Sequence, residues 1–180
     1  MKIYTKKGDD GTTGLLYGGR VRKDHPAPAA YGAVDEAQAA LGLARAETGD
    51  GSELDQLLIR IERDLWVLMG ELATAPDNRG KLAAGASLVT AEMVEALEPV
   101  IDDLTGRFEP PTEFVVPGQN RLSALLDVAR TVVRRAERAS LGVAADGSFV
   151  VPYLNRLSDL LWTMARWQEG IFLPARERKA

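Results

Sequence analysis

A chain of 180 residues with 46% hydrophobic and 27% charged content is long enough for one buried core and ordinary for a soluble globular protein. Its net charge of −4 argues against a nucleic-acid partner, whose electrostatic footprint would be basic. The lack of cysteine excludes disulfides and thiolate chemistry and fits a reducing compartment, and a single histidine, His25, argues against a His-built metal site or a Ser-His relay.

The first residues hold no apolar signal core, and no later run is apolar enough to cross a bilayer, so the expectation is a cytoplasmic protein without a membrane partner. Residues 5–20 read TKKGDDGTTGLLYGGR, with Lys6, Lys7, Thr12, Thr13 and Arg20 set among five glycines. The pattern is neither a Walker loop nor a dinucleotide fingerprint. Glycines let backbone N–H groups turn toward a ligand at close range, the threonines add hydroxyls, and Lys23 adds to the positive charge. A loose terminus is the alternative reading. Ile3, Tyr4, Leu15, Leu16 and Tyr17 supply anchors that a loose tail would not need, so residues 1–24 are expected to hold phosphate and to order around it.

From residue 28 the pattern is helical. A first run extends from Pro28 to about Thr48. Ser52 caps a second, in which Leu54, Leu57, Leu58, Ile61, Leu65, Leu68 and Leu72 form one apolar stripe. Residues 77–87 read as a connection. Thr90 caps a third run carrying Val94, Leu97, Ile101 and Leu104, with Pro99 inside it to kink it or remove a hydrogen bond. After a proline-containing break at 106–112, a fourth run follows Pro117 and Gly118, and a fifth begins near Pro152. No alternating strand pattern is apparent. The expected fold is all-α: a single domain over 1–180, with a five-helix bundle at 28–170 behind a glycine-rich ligand-binding segment.

The fourth run carries more charge than a bundle needs. Ser123, Asp127, Arg130, Arg134, Glu137 and Arg138 share one face, and arginines four apart repel. Such a row is either a solvated face or a surface for an anion, whose oxygens suit the guanidinium fork. In the fifth run Asn155, Asp159, Trp162 and Arg166 share a face, and in the first Tyr31, Asp35, Gln38, Gly42 and Arg45 do. Trp162 reads either as a stacking surface or as core.

The motifs TKKGDDGTT, GRVRKD, YGAVDE, FVVPG, ARTVVRRAER and YLNRLSDLLW, in that order along nearly the whole chain, resemble those of the PduO-type ATP:cob(I)alamin adenosyltransferases. The resemblance implies a homotrimeric five-helix bundle with active sites between subunits. It implies transfer of the 5′-deoxyadenosyl group from ATP, with Mg²⁺ on its phosphates, to the cobalt of cob(I)alamin, releasing triphosphate. It places ATP on Thr5, Lys6, Lys7, Gly8, Thr13, Lys23, Arg134, Arg135, Glu137, Arg138 and Asn155. It pairs Asp35 with Arg130 across the interface and sets Phe114 against the lower corrin face. A reductase and an adenosylcobalamin-dependent enzyme are the implied partners, and an ATP- and adenosylcobalamin-binding carrier with little turnover is the alternative function.

The chemistry fits these residue types. Cob(I)alamin is itself a strong nucleophile, so the protein must align C5′ with cobalt and stabilise the departing triphosphate rather than supply a base. An apolar Phe114 on the lower face would favour loss of the axial ligand and ease reduction. The chain departs from the family pattern at Gln119 and Asn120, where P-G-G-S is usual, at Asp127, where His is usual, and at Ala37 and Gln38. Asp127 stands one turn from Arg130, placed to compete with Asp35 for it.

Overall fold

The computed structural model describes residues 2–176; Met1 and residues 177–180, the two ends of the expected 1–180 domain, lie outside the described residues. Six helices follow a short hairpin: β1 (Thr12–Gly14), β2 (Arg20–Arg22), α1 (Pro26–Arg45), α2 (Glu53–Leu72), α3 (Ala91–Glu95), α4 (Glu98–Thr105), α5 (Arg121–Ser140) and α6 (Val150–Glu169). The five expected runs are all present, and the third is divided. Pro99 is the second residue of α4, where its missing N–H is no loss, and Ala96 and Leu97 turn the chain between α3 and α4. Residues 76–81 add one 3₁₀ stretch to the expected connection. No helix among the described residues is long and apolar enough to cross a membrane.

The hairpin adds a small two-stranded sheet, its strands too short for an alternating pattern to announce them. Thr12 pairs with Arg22, Thr13 with Val21 and Gly14 with Arg20 in antiparallel register. Tyr17, Gly18 and Gly19 all have positive φ in its turn, which the two glycines adopt without strain. Leu16 docks the hairpin on the end of α2 through its N–H to the Ala73 carbonyl at 2.9 Å, and the Tyr17 hydroxyl meets Ser87 Oγ at 3.1 Å. Ile3 and Tyr4, expected as anchors, are instead exposed.

α1 packs on α2 and α5, α5 packs on α6, and α4 lies against α6. The core between them is aliphatic, with Leu41, Leu58, Ile61, Leu65, Leu126, Leu157 and Leu161 fully buried. His25 caps α1, its Nδ1 accepting the Ala27 N–H, so the lone histidine has a structural role in the fold. Ser52 caps α2 as expected, whereas Thr90 occupies the cap position of α3 without a side-chain cap bond. Asn120, one of the departures from the family pattern, caps α5 by accepting the Ser123 N–H at 2.9 Å. Its amide donates to the Gln168 carbonyl at 2.7 Å and so ties the start of α5 to the end of α6.

Two carboxylates join the layers. Buried Glu71 accepts the Val89 N–H at 2.8 Å and the Ser148 hydroxyl at 2.5 Å, fixing the 83–89 loop and the entry to α6 against α2. The fully buried Tyr153 donates its hydroxyl to Asp64 at 2.8 Å.

Candidate functional site

The C-terminal half of α5 presents the arginine row. Arg134 and Arg138 are exposed and make no ion pair among the described residues; Arg138 donates only to the Arg134 carbonyl, at 2.9 Å. Two unpaired guanidiniums one turn apart cost an isolated helix about 0.2–0.5 kcal/mol, a repulsion that a polyanion would reverse. Beside them Asn155 of α6 donates its amide to Glu137 Oε1 at 3.1 Å, so these two predicted residues do meet. Arg135 is turned the other way and pairs with Glu36 of α1.

The glycine-rich segment is already built into a loop. Arg20 donates to Thr12 Oγ1 from Nε at 3.1 Å and to the Lys7 carbonyl from Nη2 at 2.5 Å, while Asp10 accepts the Thr12 N–H at 2.9 Å. These bonds leave the exposed ammonium groups of Lys6, Lys7 and Lys23 outside the internal network. Lys6 has φ +60°, a left-handed conformation uncommon for a non-glycine residue and frequent where a loop is shaped for a ligand. Gly8 lies under Lys23: a Cβ there would stand 3.2 Å from Lys23 Nζ and 3.2 Å from the Thr12 carbonyl. Thr13 sits in β1, and Thr5 Oγ1 lies 3.4 Å from the Lys7 N–H. Within one chain's described residues no hydrogen bond or ion pair joins this loop to Arg134, Arg138 or Asn155.

A cavity of about 550 Å³ opens at the other end of α5, lined by Phe114, Pro117, Asp127, Arg130, Trp162 and Arg166. It unites two predicted residues, Phe114 and Arg130, with Trp162, whose half-buried ring stands at the cavity wall. Phe114 is 90% exposed. Its backbone is strapped to the chain beyond α6: the Val116 N–H donates to the Leu173 carbonyl at 2.8 Å and the Ala175 N–H to the Phe114 carbonyl at 2.7 Å. Asp35, by contrast, is exposed on α1 and has no partner among the described residues, so the expected Asp35–Arg130 pair is not made within one chain. Arg130 instead donates from Nε to Asp127 Oδ1 at 3.1 Å, the competing pair anticipated from their spacing.

Behind that pair lies a charge cluster that sequence reasoning missed. Arg166 is 1% exposed; it donates to Asp127 Oδ2 and, at 3.1 Å, to Glu169 Oε1. Arg130, Asp127, Arg166 and Glu169 together are formally neutral, as a buried set must be to avoid a large desolvation cost. Burial raises the Glu169 carboxyl above its ordinary 4.5, Asp127 adds to the rise, and Arg166, Ser123 and the Gly118 N–H oppose it. A carboxyl raised in the folded state gives its full stabilisation below the unfolded value and loses it as pH climbs through the folded one. Glu169→Gln is therefore expected to gain thermal stability relative to the native protein as pH rises from about 4.5, and a pH-independent difference between their melting temperatures would contradict this. The available signal was Arg166 on the Trp162 face, with an acidic residue three positions on; its pairing across 39 residues was not visible in any local window.

The family model described as cobalamin adenosyltransferase matches residues 3–168. A corrinoid adenosyltransferase of Citrobacter freundii is 42% identical over 171 residues, covering 93% of this chain and 95% of that protein. A corrinoid adenosyltransferase PduO of the same organism is 38% identical over 177 residues, and this chain spans 50% of its length. Among solved structures, a phenylalanine-to-alanine variant of a PduO-type ATP:corrinoid adenosyltransferase from Lactobacillus reuteri, complexed with cobalamin and ATP, superposes with a TM-score of 0.86 at 29% identity. That alignment covers 98% of this chain and 100% of the other.

Proposed function

The chain belongs to the cobalamin adenosyltransferase family, and we propose how its residues carry out that family's reaction. The enzyme transfers the 5′-deoxyadenosyl group of ATP to the cobalt of cob(I)alamin, giving adenosylcobalamin and triphosphate. The cobalt electron pair forms the Co–C bond, the C5′–O bond breaks, and its electrons leave on the triphosphate. No proton is moved at the reacting carbon, so the side chains need only bind, align and neutralise.

The observation that carries this assignment is the unpaired Arg134–Arg138 edge beside the Glu137–Asn155 bond. In this reading Arg134 and Arg138 face the phosphates, and Glu137 and Asn155 hold the nucleoside. The N-terminal loop closes over the triphosphate with Lys6, Lys7, Lys23, Thr5, Thr13 and the open backbone at Gly8. Arg135, engaged with Glu36, braces α5 against α1 rather than touching ligand first. Mg²⁺ would enter on the triphosphate oxygens and lend them charge neutralisation; no group of three acidic or histidine side chains converges among the described residues to cage it. Phe114 and Trp162 offer the corrin an apolar seat that keeps water from the lower face of cobalt. The reductant for cob(II)alamin comes from a separate reductase, and the product passes to an adenosylcobalamin-dependent enzyme. The whole chain acts as one cytoplasmic domain.

We assign the complete site to the boundary between subunits of a homotrimer. Three features among the described residues support this: the N-terminal loop has no bond to its own α5 arginines, Asp35 is left without a partner, and Val128 and Ile3 stay exposed. Asp35 of a neighbouring subunit then reaches Arg130. The assignment is tested by product analysis: one triphosphate should appear for each adenosylcobalamin formed. Release of orthophosphate or pyrophosphate without a Co–C product would contradict it.

A further inference from the structure

Arg130 lines the cavity beside Phe114 and is held from one edge only. Its Nε donates to Asp127 Oδ1 at 3.1 Å, and among the described residues its two terminal nitrogens have no hydrogen-bond partner, yet neither is buried without one. They therefore open onto the cavity and its mouth. Asp127 is itself 5% exposed and cannot swing away, because its other oxygen is taken by Arg166, whose side chain is enclosed between α5 and α6. Arg166 is in turn held by Glu169, whose Oε1 accepts from its Nη2 at 3.1 Å, and the Glu169 side chain is fully buried. A rigid chain of three buried charges thus ends on the inner edge of one half-exposed guanidinium.

We propose that Asp127 is the positioning residue for Arg130: anchored by Arg166 and Glu169, it grips the Nε edge and aims the terminal nitrogens at the corrin side of the cavity, where they meet the cobalamin substrate or the neighbouring subunit's carboxylate. This rests on the adenosyltransferase reading above. The residue choice follows from donor and acceptor count. Two guanidiniums converge on Asp127, and only a group with two acceptor oxygens satisfies both. In Asp127→Asn the single amide oxygen would stay with enclosed Arg166, and the amide N–H₂ would then confront Arg130 Nε, donor against donor. Arg130 would be released while the fold kept its packing. Asp127→Glu retains both oxygens.

The test is a double-mutant cycle on the purified full chain, with melting temperatures recorded for every variant and cob(I)alamin and ATP varied separately. With the native protein active, Asp127→Asn should lower kcat/KM for cob(I)alamin about tenfold or more, the loss of a charge-assisted hydrogen bond, and leave KM for ATP within about twofold. Asp127→Glu should recover most of that loss. Asp127→Asn added to Arg130→Gln should cost nothing further, because both act through one guanidinium. Additive losses in the cycle, or a native kcat/KM for Asp127→Asn with only a lowered melting temperature, would overturn the proposal. If Asp127→Asn does not fold, Arg166→Gln/Glu169→Gln removes one buried cation and one buried anion together, leaves Asp127 without its anchor, and should lower kcat/KM for cob(I)alamin in the same direction, an unchanged value overturning the proposal. A native protein that makes no adenosylcobalamin would instead refute the reaction itself, a failure seen before any variant is compared.

Discussion

Arg134→Ala is expected to lower kcat/KM for adenosyl transfer by about 10²–10³-fold, the usual consequence of removing one preorganised group from developing negative charge. The side chain is exposed and contributes no ion pair among the described residues, so its loss should leave the melting temperature unchanged or slightly higher through relief of the repulsion with Arg138. Gly8→Val should impair ATP binding from the other side, since a Cβ there already stands 3.2 Å from both Lys23 Nζ and the Thr12 carbonyl, and the larger side chain must displace the lysine from the loop. If the loop of one subunit serves the arginines of its neighbour, mixed assemblies of the two variants contain some sites with both elements native. Coexpression should then restore part of the activity that neither variant has alone. A mixture as inactive as its components would place loop and arginines in the same subunit and refute the composite site.

Phe114→Ala is expected to harm turnover from cob(II)alamin more than turnover from chemically reduced cob(I)alamin. Reduction is the harder step because the cobalt couple lies at very low potential, and losing the lower axial ligand raises it. A phenyl ring against that face disfavours the ligand's return and excludes water. Full burial of a phenylalanine is worth about 1.5–3 kcal/mol, so the loss starting from cob(II)alamin should be about tenfold or more. The ring is 90% exposed in the single chain, so truncation should not unfold it. Equal losses in the two assays would refute a role for Phe114 in reaching the four-coordinate state.

The four long helices were legible because each runs for 20 residues: α2, α5 and α6 repeat their leucines over enough turns for a 3.6-residue period to stand out, and α1 carries its buried face on alanines with Val34 and Leu41. Each strand of the hairpin has three residues, too few for alternation to register, and its pairing depends on a turn of positive φ at Tyr17, Gly18 and Gly19. Pro99 marks a disturbance in the third run, but it begins α4 rather than kinking one helix, and that outcome depends on how Leu97 and Leu104 reach the core. At the site, the Arg130–Asp127 pair follows from three-residue spacing within one helix. The meeting of Phe114, Trp162 and Arg166 in one cavity depends on how α5 lies against α6, and no local pattern encodes it. The role of Glu71 is hidden from local patterns for the same reason: its partners Val89 and Ser148 are distant in sequence and come from two different loops. Even the departures divide this way. Asn120 is a helix cap, a local role that its residue type suggests, whereas Asp127 acquires its role only from Arg166 across the helix interface.

The central claim is tested most directly by an anaerobic spectrophotometric assay of the native protein with chemically reduced cob(I)alamin, ATP and Mg²⁺. Decay of the cob(I)alamin spectrum with matching growth of the Co–C bonded product, dependent on both protein and ATP, is the predicted result. Measurable binding of ATP and cobalamin with no product would contradict it and leave a carrier of the two ligands.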